Sequence, residues 1–265
     1  MEFKRVKMVY FSPTQTTKKV LECIAHNLGA EVVEDLDLTY AQQTKTTRVC
    51  SDEIVIIGAP VYAGRLSAEA MARLKQLRAN NTLAILVVVY GNRAFEDALL
   101  ELKHFVITLG FTPIAGGAFI GEHSYSTAKT PIAQGRPDAL DLQKIAAFAK
   151  KIKDKINNVS PTCLPMDLEV PGNFPYKEAM PPNSVAPLSD YELCSVCGAC
   201  IDVCPTGAIF LDEQIQTNAT LCIRCCACIK NCPSEARVVE DSAWKAMAER
   251  LNTNCQARKE PEFFL

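Results

Sequence analysis

Cys194-Ser-Val-Cys197-Gly-Ala-Cys200-Ile-Asp-Val-Cys204-Pro205 is followed 28 residues on by Cys222-Ile-Arg-Cys225-Cys226-Ala-Cys228-Ile-Lys-Asn-Cys232-Pro233. The run C-x2-C-x2-C-x3-C-P thus occurs twice. Three closely spaced thiolates can hold three corners of a cubane, while the fourth, beyond a turn, points away and ligates the other cluster. This assigns one [4Fe–4S] cluster to Cys194, Cys197, Cys200 and Cys232, and a second to Cys222, Cys225, Cys228 and Cys204. Pro205 and Pro233 end each ligand segment and turn the chain outward. Paired C-x2-C segments also read as zinc sites. Zinc, however, takes four ligands in a closed tetrahedron and requires neither the triple spacing nor a trailing Cys-Pro in both halves.

The whole stretch resembles the bacterial two-cluster ferredoxin module, with every ligand position filled. Cys226 stands where the first repeat has Gly198; it reads as a small buried filler, or as a ligand exchanging with Cys225.

Outside this stretch the chain is long and apolar enough for two domains: 265 residues, 48% hydrophobic. Eight of the 13 cysteines belong to the duplicated run, and Cys23, Cys50, Cys163, Cys226 and Cys255 lack disulfide spacing. That usage suits a reducing compartment. The charged start and short apolar run to Phe11 do not make a signal peptide, and no apolar run reaches membrane-spanning length, so a cytoplasmic protein is expected. Net charge is −2, but residues 1–160 carry 20 Lys+Arg against 16 Asp+Glu and residues 190–240 carry 3 against 7. The Lys-rich segment 150–155 reads as a solvated helix face, and no nucleic-acid patch is expected.

The N-terminal part alternates strand and helix. Residues 5–11, 30–38, 54–57, 83–89 and 112–120 read as strands, several of them apolar throughout as in sheets buried on both faces. Helical periodicity covers 16–28, 68–77, 94–109 and 138–156. The pattern predicts a doubly wound parallel sheet of order 2-1-3-4-5, with ligand at the carboxyl ends of the strands. Between the first strand and helix lies Ser12-Pro13-Thr14-Gln15-Thr16-Thr17. Free helix N–H groups and hydroxyls in such a turn suit a phosphate, and equally suit an ordinary N-cap.

Residues 1–158 resemble a flavodoxin. Its phosphate pattern S/T-x-T-G-x-T is met by Ser12, Thr14 and Thr17, with Gln15 in place of a glycine that could take positive φ at little cost. The resemblance implies FMN held by Ser12, Thr14, Gln15, Thr16 and Thr17, by the loop Pro60-Val61-Tyr62-Ala63-Gly64, and by Tyr90-Gly91-Asn92-Arg93 with Phe95. Tyr62 and Phe95 fall where two aromatics cover the flavin. A phosphorylated receiver domain shares the sheet order but needs clustered carboxylates after the first strand, where this chain has hydroxyls. In the long loop after the fifth strand, His123 is a candidate proton donor or a structural histidine.

Residues 159–189 carry seven prolines and read as a stiff connector. Residues 190–240 form the cluster domain; 241–265 are read as a C-terminal helix and an apolar tail, docked or disordered. The whole order resembles flavodoxin-like domains fused to a two-cluster ferredoxin, found mainly in anaerobes. That resemblance implies an electron-transfer flavoprotein with FMN and two [4Fe–4S] clusters. Its partner would be a redox protein or a small-molecule acceptor, and the chain could form homo-oligomers. The alternative is an FMN-dependent reductase of a small molecule, fed by its own ferredoxin domain.

Overall fold

The computed structural model describes residues 5–40, 47–48, 53–158, 167–179 and 184–265. Cys50, Cys163, Ser160 and the connector prolines 161, 165, 181 and 182 lie outside the described residues. In the N-terminal part the order is β1 (Arg5–Tyr10), α1 (Thr16–Leu28), β2 (Val32–Asp37), β3 (Ile54–Tyr62), α2 (Ala68–Leu74), β4 (Thr82–Tyr90), α3 (Ala98–Thr108), β5 (Phe111–Ile120) and α4 (Ala139–Asn158). The strands pair in parallel in the order β2-β1-β3-β4-β5, the expected doubly wound sheet.

Alternation along the apolar strands divides the core into two layers, because successive side chains in a strand point to opposite faces. Ile54, Ile56, Ile85 and Val87 meet Val20, Leu21 and Ile24 of α1 and Ile145, Phe148 and Ile152 of α4. Val55, Ile57, Leu86 and Val88 meet Leu74 of α2 and Leu99, Leu102 and Val106 of α3. Each such fully buried aliphatic side chain contributes about 1.5–3 kcal/mol relative to an exposed one. This sandwich fixes the carboxyl edge of the sheet as a rigid platform.

Two helices are shorter than their periodicity suggests. Helix α2 is capped by Ser67, whose Oγ accepts from Ala70 N at 3.0 Å, and ends at Leu74; Leu77–Arg78 instead pairs with Thr47–Arg48. Helix α3 starts at Ala98 because the preceding turn is engaged elsewhere. Asp97 N donates to Gly64 O at 3.0 Å, and its carboxylate accepts from Asn173 N at 2.8 Å and Lys177 N at 2.6 Å. Connector residues 167–179 therefore lie along α3, with Leu168 buried in the core at 3% exposure.

The cluster half is small. Leu188–Ser189 pairs antiparallel with Arg237–Val238, enclosing α5 (Ala199–Asp202), the hairpin β6 (Ile209–Leu211) and β7 (Ile215–Thr217), and α6 (Ala227–Lys230). Helix α7 (Ser242–Asn254) follows, N-capped by Asp241 through Trp244 N at 2.7 Å.

The tail then crosses back to the N-terminal part. There β8 (Glu262–Phe264) adds an antiparallel sixth strand to the main sheet, pairing with Gly116, Gly117 and Ala118 of β5. Phe263 stacks on Phe148 with centroids 4.8 Å apart and planes 15° apart. Arg258 pairs with Asp138 at 2.6 Å, Lys144 with Glu260 at 2.6 Å, and Arg136 donates to Lys259 O at 3.0 Å. Arg136 is itself held by a buried two-point pair with Asp141.

Candidate functional site

The phosphate-type loop is a braced turn. Gln15 takes φ 60, the left-handed conformation that the missing glycine would have supplied, and its side-chain amide donates to Ser12 O at 3.0 Å. This tie holds the glutamine in a region that ordinarily costs a side-chain-bearing residue energy. Ser12 is 1% exposed; its Oγ accepts from Lys18 N at 3.1 Å and its N–H donates to Thr39 Oγ1 at 2.8 Å. Ser12 therefore shapes the loop from inside. Thr17 is buried, with its methyl against Gly58, where any side chain would collide with it.

Thr14 and Thr16 are half-buried and line a cavity of about 650 Å³ with Gln15, Lys18 and Lys19. Glu122 and Arg136 close it from the loop after β5, and Lys230 and Asn231 from the cluster half. Gly121 backs onto the loop so closely that an added Cβ would lie 2.4 Å from Thr16 Cγ2.

In the loop after β3, Pro60, Val61, Tyr62 and Ala63 are half-buried. Ala63 and Gly64 turn with φ 54 and φ 89, and Glu96 fills the space a Gly64 side chain would need. Burial raises the Tyr62 phenol well above its ordinary pKa, and the nearby Cys225, Cys226, Tyr125 and Cys222 add to the effect. Tyr62 thus sits between the sheet edge and the second cysteine group.

After β4 the side chains are committed elsewhere. Asn92 is 3% exposed; its Nδ2 donates to Cys255 O at 2.8 Å and Ala257 O at 2.9 Å, while its Oδ1 accepts from Lys259 N at 3.2 Å. Arg93 pairs with Glu96 at 2.7 Å and its carbonyl accepts from Lys259 Nζ. Phe95 is 8% exposed in the core, tilted against Tyr90 at 5.5 Å. Gly91 lies against the His123 ring. His123 Nδ1 accepts from Tyr125 N at 3.0 Å; burial, then Lys230 and Arg93, lower its pKa to about 4. At neutral pH it is an uncharged imidazole whose free proton is on Nε2.

The eight cysteines gather around two cavities. One is lined by Cys194, Cys197, Cys200 and Cys232, the other by Cys204, Cys222, Cys225 and Cys228 together with Cys226. The repeats are braced alike: Ala208 N donates to Cys204 Sγ and Ala236 N to Cys232 Sγ, each at 3.2 Å. The groups differ in exposure. Cys197 is exposed, whereas burial pushes Cys225 up to about 12 and Cys228 to about 11. Cys226 is buried, caps α6 with φ 60, and its thiol donates to Arg224 O at 3.7 Å.

The second group faces the N-terminal part. Ile223 packs on the core layer of α2 and α3, Arg73 donates to Pro205 O at 3.1 Å, and Tyr125 packs on Trp244 at 4.9 Å. Lys230 pairs with Glu122 at 2.6 Å and donates to Ser126 O at 2.9 Å. These contacts were missed from sequence. A signal existed for one of the residues: aligning the repeats sets Lys230 opposite Asp202.

Residues 187–210 match the family of 4Fe-4S binding domains. No curated protein matches the chain. Among solved structures it is similar to flavodoxin 1 from Bacillus cereus (14% identity, TM-score 0.41, covering 59% of this chain and 99% of that one). A flavodoxin from Fusobacterium nucleatum, bound to flavin mononucleotide, is 16% identical with TM-score 0.40, covering 57% and 98%. A third is the rubredoxin oxygen:oxidoreductase of the anaerobe Desulfovibrio gigas, at 14% identity and TM-score 0.41. The match covers 58% of this chain but only 36% of that protein.

Proposed function

We propose that this chain is an electron-transfer iron–sulfur flavoprotein, with FMN at the carboxyl edge of the sheet and a [4Fe–4S] cluster in each cysteine cavity. The domains would be residues 1–158 for FMN and 190–240 for the clusters, joined by 159–189 and strapped by 241–265. One observation carries the reading: the buried cysteine group packs its own Ile223 on the core of the N-terminal part and lies near Tyr62, beside the loops that would hold a flavin. The other group carries the exposed Cys197 and faces outward. Such an arrangement gives electrons an inner and an outer station.

The donor sets fit the groups assigned to them. Four cysteines ring each cavity, which suits a multi-atom cluster with one thiolate at each iron. At the flavin end, hydroxyls of Thr14 and Thr16, the first N–H groups of α1, and the cations Lys18, Lys19 and Lys230 meet in one cavity, which suits a phosphate. Tyr62 would cover the ring, and the backbones of Pro60 to Gly64 and of Gly91 to Arg93 would bind its polar edge. Asn92 and Phe95 would act from behind, as supports of the loop.

Bound FMN supplies exchange between two-electron and one-electron traffic, and the clusters supply one-electron transfer to a redox partner protein or small acceptor. Protein purified without oxygen tests the reading. Iron near eight per chain with about one flavin is expected; iron near four would remove one cluster, and absence of flavin would remove the flavoprotein assignment.

A further inference from the structure

The two cysteine cavities are related by the sequence repeat, and at one buried position the repeat changes an apolar residue into a cation. Ala208-Ile209 of the first repeat corresponds to Ala236-Arg237 of the second. Ile209 is buried at 4% exposure, as expected of an apolar residue inside a small domain. Arg237 is buried at 3% in the equivalent place. Burying a guanidinium is costly unless anions and hydrogen-bond acceptors surround it.

The neutral acceptors around Arg237 satisfy only part of it. Its Nη1 donates to Ser189 Oγ at 2.7 Å, and its Nη2 to Pro187 O at 2.8 Å and Thr217 Oγ1 at 2.6 Å. Its Nε is buried without a partner. No carboxylate pairs with Arg237 among the described ion pairs. The side chain lines both cysteine cavities.

We infer that Arg237 is the buried counter-ion of the cluster pair, and that it electrostatically favours the reduced state of both clusters. The inference rests on the two-cluster reading. A cluster bound by four thiolates is anionic, and each electron taken up adds one negative charge. A fixed cation in a water-poor site favours that added charge, and hydrogen bonds to ligand sulfurs act in the same direction. Because Arg237 lines both cavities, both clusters gain from it.

The test is a potentiometric titration of the full chain, followed by paramagnetic resonance, comparing wild type with Arg237→Ile and Arg237→Lys. Isoleucine is what the first repeat carries at this place, so its shape is compatible with the local fold. Arg237→Ile with full iron content should move both cluster potentials downward; Arg237→Lys should keep most of the wild-type values. Unmoved potentials in Arg237→Ile, or equal downward shifts in both variants, would overturn the inference. If Arg237→Ile loses iron, Arg237→Lys decides: assembled clusters near wild-type potentials support the counter-ion role, and loss of iron there too makes the residue purely structural. A wild type showing a single cluster signal would instead remove the two-cluster reading.

Discussion

Replacing Asn92 by alanine separates two roles for this residue, one in the cofactor loop and one in holding the tail. Its carboxamide makes three hydrogen bonds to tail backbone, with Cys255 O, Ala257 O and Lys259 N at 2.8, 2.9 and 3.2 Å, the first buried and the others partly so. Each intramolecular bond of this kind is worth about 1 kcal/mol net. Together they hold the closed tail by about 3 kcal/mol, the upper end applying if water cannot reach the freed carbonyls. At about 1.4 kcal/mol per tenfold, the open population of the tail rises on the order of a hundredfold. Hydrogen exchange of peptides covering 255–265, and of Gly116–Ala118 beneath β8, should speed by that factor while the centre of the sheet stays protected. Unchanged exchange in these peptides, with weaker FMN binding, would show that the amide serves the cofactor and that the tail is held by other contacts.

Two further outcomes are expected. Cys204→Ala should damage the cluster on Cys222, Cys225 and Cys228, and Cys232→Ala the cluster on Cys194, Cys197 and Cys200. Iron analysis and paramagnetic resonance check this, and two intact cubanes in either variant would refute the crossed assignment. Acid should loosen the tail: Arg258 beside Asp138 and Lys144 beside Glu260 hold both carboxyls below their ordinary values. Stability from such depressed groups is full above their unfolded pKa of about 4 and is lost as pH falls further. Proteolysis after Arg258 or Lys259 should thus be slow at pH 6 and faster at pH 3 with an acid-active protease of matching specificity, or in equivalent exchange measurements; equal protection at both pH values would refute it. The pairs are partly exposed, so the effect is modest.

Much of the architecture was legible because it rests on period. Continuous apolar runs marked strands buried on both faces, and α1 falls on the range its periodicity predicts, Thr16–Leu28. Helix starts were harder. The apolar pattern of 94–109 continues back past Ala98, but Asp97 is taken by Asn173 and Lys177, a long-range demand that no local pattern carries. The loop after β4 shows the same limit. Its sequence places Asn92 and Phe95 among flavin-facing residues, whereas the fold uses one to hold the tail and buries the other on Tyr90. A polar residue in a loop says that it binds something; what it binds depends on which distant segment returns to it. The tail, with its Phe263-Phe264 pair, had an apolar character that asked for a partner, and the open edge of β5 supplied one.

Charge is where local and global readings part most clearly. The excess of cations in residues 1–160 and of anions in 190–240 suggests two halves drawn together by opposite fields, with salt weakening their contact. Among the described residues the ion pair that crosses runs the other way: a lysine of the acidic half, Lys230, meets a glutamate of the basic half, Glu122, at 2.6 Å. The repeat explains how. Asp202 is exposed on α5, and its counterpart on α6 is the cation that faces the N-terminal part. Around this pair the contact is made by Ile223 in the core layer, Trp244 on Tyr125, and Arg73 on a carbonyl oxygen. None of these is a long-range charge interaction, and the tail fastens the cluster half a second time through β8. The seating of the halves is therefore set by packing, one inverted pair and a covalent strap. The net fields are left to act on what approaches from outside, where the anionic half presents its exposed Cys197. Salt should accordingly weigh on the encounter with a cationic partner more than on the contact within the chain.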